Sequence, residues 1–141
     1  MAVESRADAT WTGDLMHGQG SVRPASGAFG EVELTWKQRA ETRESGTSPE
    51  ELIAAAHAGC FAMALSHGLA GAGTPPEKLE TSAQVTFQAG EGITGIHLTV
   101  RGTVPGLDDD AFLKAAEGAK ANCPVSKALA AVPITLDASL A

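Results

Sequence analysis

The stretch Ser48-Pro49-Glu50-Glu51-Leu52-Ile53-Ala54-Ala55-Ala56-His57-Ala58-Gly59-Cys60-Phe61-Ala62-Met63-Ala64-Leu65-Ser66 decides how this chain is read. Ser48 is placed to cap a helix, Pro49 occupies the first helical position, and Glu51 stands three residues after the cap, which completes a capping box. The helix is expected to run to about Leu69 and to stop where Gly71 and Gly73 precede Pro75-Pro76. Small and apolar residues occupy nearly every face, so the helix is expected to be buried on most sides, inside a sheet or across a subunit interface. His57, Ser66, His67 and Gly68 interrupt the apolar run Leu52 to Ala70. This favours a core helix over a membrane span.

On the N-terminal side, three short strands are expected at Ala9 to Thr12, Gly20 to Arg23 and Val32 to Trp36, separated by glycine-bearing turns. Val32, Leu34 and Trp36 alternate with polar residues, as a half-buried strand requires. A polar connection, Gln38 to Thr47, leads to the central helix. Beyond it, Thr81 to Gln88 and Ile93 to Val104 alternate as two strands around the turn Gly90-Glu91-Gly92. A helix capped in Asp108 to Asp110 extends to about Lys120, its acidic start suited to the positive end of the helix dipole. Asn122-Cys123-Pro124 opens a short third helix through Leu129, and Ile134 to Leu140 closes the chain as a strand. The order of three strands, helix, two strands, two helices and strand describes one α+β domain over residues 1–141.

Composition narrows the function. With 43% hydrophobic residues in 141, the chain can build a core without staples. Aromatics are only 4% and the formal net charge is −7. Both argue against nucleic-acid binding, which relies on stacking platforms and a basic excess. Lys37, Arg39 and Arg43 form the densest basic run, read here as a solvated strand end. Met1 to Thr10 carry Glu4, Arg6 and Asp8 with no apolar segment, so neither secretion nor membrane insertion is expected. Cytoplasmic residence is the default, and there two cysteines are reactive or incidental more often than a structural bridge.

Cys60 and Cys123 lie 63 positions apart, which excludes a CxxC motif or zinc knuckle. Cys60 sits mid-helix, where burial alone would raise its pKa and leave it inert unless a cation or donors arrive from elsewhere. Cys123 precedes Pro124 at a helix start, whose N–H groups favour a thiolate. Local reading thus marks Cys123 as the more activated thiol and leaves Cys60 looking like core.

The quoted central stretch resembles the helix motif of the OsmC/Ohr family of hydroperoxide reductases. Asn122-Cys123-Pro124-Val125-Ser126-Lys127-Ala128-Leu129 is similar to that family's second cysteine motif. Trp11-Thr12-Gly13-Asp14 and Ile134-Thr135-Leu136-Asp137 resemble its OsmC branch. The resemblance implies an OsmC-like α+β fold with a buried central helix in an intertwined homodimer. It also implies reduction of organic hydroperoxides, fatty-acid-like ones included, without metal or cofactor. Cys60 matches the peroxidatic position and would become a sulfenic acid. Cys123 matches the resolving position and would close a disulfide with it, reset by a dithiol of lipoyl type. Arg39 and Glu50 match the positions of a guanidinium that holds Cys60 ionised and of the carboxylate that fixes it. The connection here is one residue longer than the family's usual spacing, so Arg43 stands as an alternative to Arg39.

Ten helical residues rise about 15 Å, so Glu50 cannot touch Cys60 of its own helix. If both serve one site, a second subunit supplies one of them. His57 lies one turn before Cys60 and is read as packed or hydrogen-bonded rather than as a metal ligand, since no four-ligand set accompanies it. Two competing functions share the fold: a non-enzymatic binder of fatty-acid-like ligands, and a redox sensor whose disulfide signals to a partner.

Overall fold

The computed structural model describes all 141 residues. The chain divides into two compact units, Met1–Glu50 and Glu51–Ala141. The first is an antiparallel meander of β1 (Ala7–Thr12), β2 (Gln19–Pro24) and β3 (Val32–Leu34), followed by a short helix α1 (Trp36–Ala40). Trp11 pairs with Gly20 and Val22 with Val32 across this sheet. The third strand ends two residues before its expected limit because Thr35 caps α1. The Thr35 hydroxyl accepts the Gln38 N–H at 3.2 Å, and Thr35-Trp36-Lys37-Gln38 is a capping sequence of the Thr-x-x-Gln type. The basic run therefore begins on a helix and not at a strand end.

Glycine is required where the loop after α1 returns. Gly46 adopts φ +71, and a Cβ there would lie 2.6 Å from both the Gln38 amide and the Glu33 carbonyl oxygen. The returning strand segment makes a parallel bridge between Leu34 and Thr47.

The central helix α2 spans Pro49–Gly71, as its start and stop signals predict. In the second unit it packs on a sheet of β4 (Lys78–Gln88), β5 (Gly92–Thr103) and β6 (Ile134–Leu140), in the order β4-β5-β6. The β4–β5 hairpin is antiparallel, with Ala83 opposite Leu98 and Thr81 opposite Val100. The β5–β6 pair is parallel, so it needs a crossover, provided by α3 (Asp109–Asn122) and α4 (Pro124–Ala128). Asp108 caps α3 by accepting the Ala111 N–H at 2.8 Å. Alternation sends Ile96, Leu98 and Val100 to one face, where they meet Phe61, Leu65 and Leu69 of α2 and Phe112 and Ala116 of α3.

One face of α2 is buried in this core at Phe61, Leu65 and Leu69. The opposite face, through Ala55, Ala56, Gly59, Met63 and His67, is exposed within a single chain, Met63 at 75%. Burial on most sides is therefore not reached by one copy of the chain. The helix is long and apolar enough to cross a membrane by length and composition alone, but its buried face is occupied by the sheet.

Candidate active site

In the second unit, Cys60 and Cys123 are free thiols whose sulfurs stand 2.8 Å apart. A disulfide bond measures about 2.05 Å, so little motion separates this pair from a bond. Cys60 is delivered by the middle of α2. Cys123 is the residue at which α3 ends and α4 begins: its N–H closes the last turn of α3 on Ala119 O, and Pro124 then opens α4 with a residue that needs no N–H partner. Cys123 is fully buried, while Cys60 retains partial exposure.

The electrostatics differ from the local reading of the sequence. Cys123 makes no side-chain capping bond at the start of α4. The Val125 N–H of that turn is directed instead at Cys60, where it favours the thiolate. Opposing it, burial pushes the Cys60 thiol up, and the adjacent Cys123 thiol adds to that effect, so the balance lies above the ordinary thiol value. The surroundings of Cys60 in its own unit thus hold it protonated.

Below Cys60 in the sequence by one turn, His57 is fully buried and its Nε2 lies 2.7 Å from Ser126 Oγ. Burial lowers its pKa, so the ring is neutral. The reading of His57 as a hydrogen-bonded interior residue agrees with this contact. No local sequence signal marks Ser126, although its place three residues after Cys123 mirrors that of His57 before Cys60.

A groove of about 1070 Å³ opens onto Cys60. Its walls are small or apolar residues of α2 and α3, among them Gly59, Met63, Ala64, Ala115 and Gly118. Lys114 and His67 are the ionisable side chains other than the thiol that line it. Such a trough accommodates an apolar chain beside a reactive sulfur.

In the first unit, Arg39 and Glu50 form a bidentate ion pair. Arg39 Nη2 donates to Glu50 Oε1 at 2.8 Å, and Nε is shared between Oε1 at 3.0 Å and Oε2 at 3.3 Å. Glu50 is 1% exposed and the Arg39 side chain 34%. Of the two arginines left open by the spacing, Arg39 is the one that pairs with Glu50, while Arg43 is exposed in the loop after α1. A fork of this kind fixes the plane of the guanidinium. Its position is set by α1: Gln38, buried beside it, donates through Nε2 to Glu33 at 3.2 Å and to Ser45 at 3.0 Å.

Known proteins agree with this architecture. A family model described as OsmC-like protein matches residues 42–137. The peroxiredoxin OsmC of Escherichia coli K12 is 43% identical over 143 residues, covering 99% of each chain. Among solved structures, the organic hydroperoxide resistance protein OhrB of Bacillus subtilis superposes with a TM-score of 0.71 at 26% identity, covering 96% of this chain and 98% of its own. An OsmC-like protein from Mycoplasma pneumoniae shares the fold at a TM-score of 0.73 with 14% identity, covering 99% of both chains. Two cysteine motifs brought into contact, on an α+β framework shared over its whole length with these relatives, place the chain in the OsmC-like family.

Proposed function

We propose that the chain is a two-cysteine peroxidase that reduces organic hydroperoxides to alcohols. The observation that carries the proposal is the 2.8 Å approach of two free thiols, one buried and one open to an apolar groove. The Cys60 thiolate attacks the distal peroxide oxygen, the O–O bond breaks, and the alkoxide leaves as alcohol after taking a proton. Cys60 is then a sulfenic acid. Cys123 attacks that sulfur, its thiol proton departing with the hydroxyl as water, and a Cys60–Cys123 disulfide results. A dithiol, of which a lipoyl group is the type expected, returns both thiols by exchange. No cofactor enters this sequence of steps.

Attack requires a thiolate, yet burial holds Cys60 above its ordinary pKa. The cation we assign is Arg39, held by Glu50 and supplied by a partner copy, because helical rise separates Glu50 from Cys60 in one chain by about 15 Å. Two observations support a homodimer: α2 exposes an apolar face, and none of the buried apolar side chains comes from residues 1–50. Such surfaces mark association sites. The cytoplasm, where thiols stay reduced, suits this chemistry.

The test is consumption of cumene hydroperoxide with dihydrolipoamide as reductant. The parent is expected to turn over, Cys60→Ser to be inactive, and Cys123→Ser to consume peroxide without forming the intramolecular disulfide. Turnover by Cys60→Ser at the parental rate would overturn the mechanism and favour a binding protein that uses the groove alone.

A further inference from the structure

The thiol contact has a companion. On α2, His57 and Cys60 are one turn apart, and at the start of α4 Cys123 and Ser126 are likewise three residues apart. The two pairs meet crosswise, His57 with Ser126 at 2.7 Å and Cys60 with Cys123 at 2.8 Å. Two rungs thus join the same turns of the two helices, one polar and one redox-active.

Three features set the polar rung apart from ordinary core. His57 is 0% and Ser126 5% exposed, so both groups have given up water. His57 Nδ1 is buried with no partner, an arrangement that costs free energy an apolar side chain of similar shape would not. The helix it holds is five residues long, too short to be stable by its own hydrogen bonds. A directional bond at Ser126 therefore fixes what packing alone leaves free, the rotation of α4 about the Cys123-Pro124 corner. Because burial keeps the His57 ring neutral, it supplies orientation and not a charge for the thiolate.

We infer that His57 and Ser126 are positioning residues for the thiol pair: their buried hydrogen bond seats α4 on α2 so that Cys123 Sγ faces Cys60 Sγ, and it sets the rate of disulfide closure. This inference rests on the peroxidase reading for its biological use, since slow closure would leave the Cys60 sulfenic acid open to a second peroxide and to sulfinic acid. Its physical content is independent of peroxide. Misplacing a reacting group by about 1 Å costs up to about 100-fold in rate.

The experiment uses an aromatic disulfide reagent that releases coloured thionitrobenzoate. One equivalent is released as Cys60, the more accessible thiol of the two, is converted to a mixed disulfide. A second is released when Cys123 attacks the Cys60 sulfur and expels the remaining thionitrobenzoate. In full-length protein, Ser126→Ala and His57→Leu are expected to leave the first phase within about twofold of the parent and to slow the second about tenfold or more. His57→Gln, whose amide nitrogen reaches toward Ser126 as Nε2 does, is expected to restore the second phase to within about threefold, and the double variant His57→Leu/Ser126→Ala to close no slower than either single variant.

Closure by Ser126→Ala at the parental rate would overturn the inference. So would failure of His57→Gln to recover more than His57→Leu, because packing alone would then explain both. Should His57→Leu not fold, Ser126→Ala, which removes one hydroxyl, decides the matter. If the parent closes rapidly but consumes no hydroperoxide, the peroxidase reading fails and the positioning role stands.

Discussion

The second unit, residues 51–141, buries Phe61, Leu65, Leu98, Val100 and Phe112 in one continuous core. The first, residues 1–50, buries Gln38, Thr47, Ser48 and Glu50 and no large apolar side chain, while Trp11, Leu15, Met16 and Phe29 are exposed. One unit is held by removal of apolar surface from water, the other by backbone ladders, caps and the Arg39–Glu50 pair. Chemistry follows the same division. In the proposed mechanism the core unit presents the two thiols, and the sparsely packed unit carries Arg39, paired with Glu50. The missing apolar core of the first unit fits the dimer proposed above.

The largest contrast should appear on truncating the core. Phe61→Ala is expected to cost about 3–5 kcal/mol by urea unfolding. A loss under about 1 kcal/mol would show that the second unit does not rely on this core. Next comes Glu50→Ala, which strips the buried partner from Arg39. It is expected to cost about 1–3 kcal/mol and to lower peroxide turnover about 100-fold, while both thiols remain titratable. Unchanged turnover would remove Arg39 from the site.

A smaller effect separates the units by pH. His57 has its pKa lowered from 6.5 by burial, so below about pH 6.5 the unfolded chain gains a proton that the folded chain refuses. Its contribution is fully present above 6.5 and is lost as pH falls through the lower folded value. Urea midpoints at pH 7.5 and 5.5 should therefore drop more steeply for the parent than for His57→Gln, and equal drops would refute the assignment. The smallest effect on a single chain is expected from Trp11→Ser. It should change chain stability by no more than about 0.5 kcal/mol, yet weaken self-association about tenfold in sedimentation. Unchanged association would exclude the exposed meander from the proposed interface.

Much of the framework was legible because it is written in local signals. The stop and start residues around α2 and α3, the turn at Gly90-Glu91-Gly92, and the alternation in β5 act over a few residues each, and the elements end close to where those signals lie. The short helix α1 escaped for the opposite reason. Trp36 continued an alternating pattern, and the pattern outweighed the Thr35-x-x-Gln38 cap that terminates the strand. Resemblance to a family singled out Cys60, Cys123, Arg39 and Glu50, whereas local chemistry on its own ranked the two thiols in the opposite order.

The sequence by itself determined the element order apart from α1, the α+β class, the acidic net charge, the helix that carries Cys60 and the helix start at Cys123, because periodicity and capping are properties of neighbouring residues. Only the tertiary structure decided that the sulfurs touch, that Arg39 and not Arg43 meets Glu50, that the Val125 N–H serves Cys60, and that Ser126 completes a second rung with His57. Those contacts join residues as far as 69 positions apart. Their distances depend on how the helices pack, which no local pattern specifies.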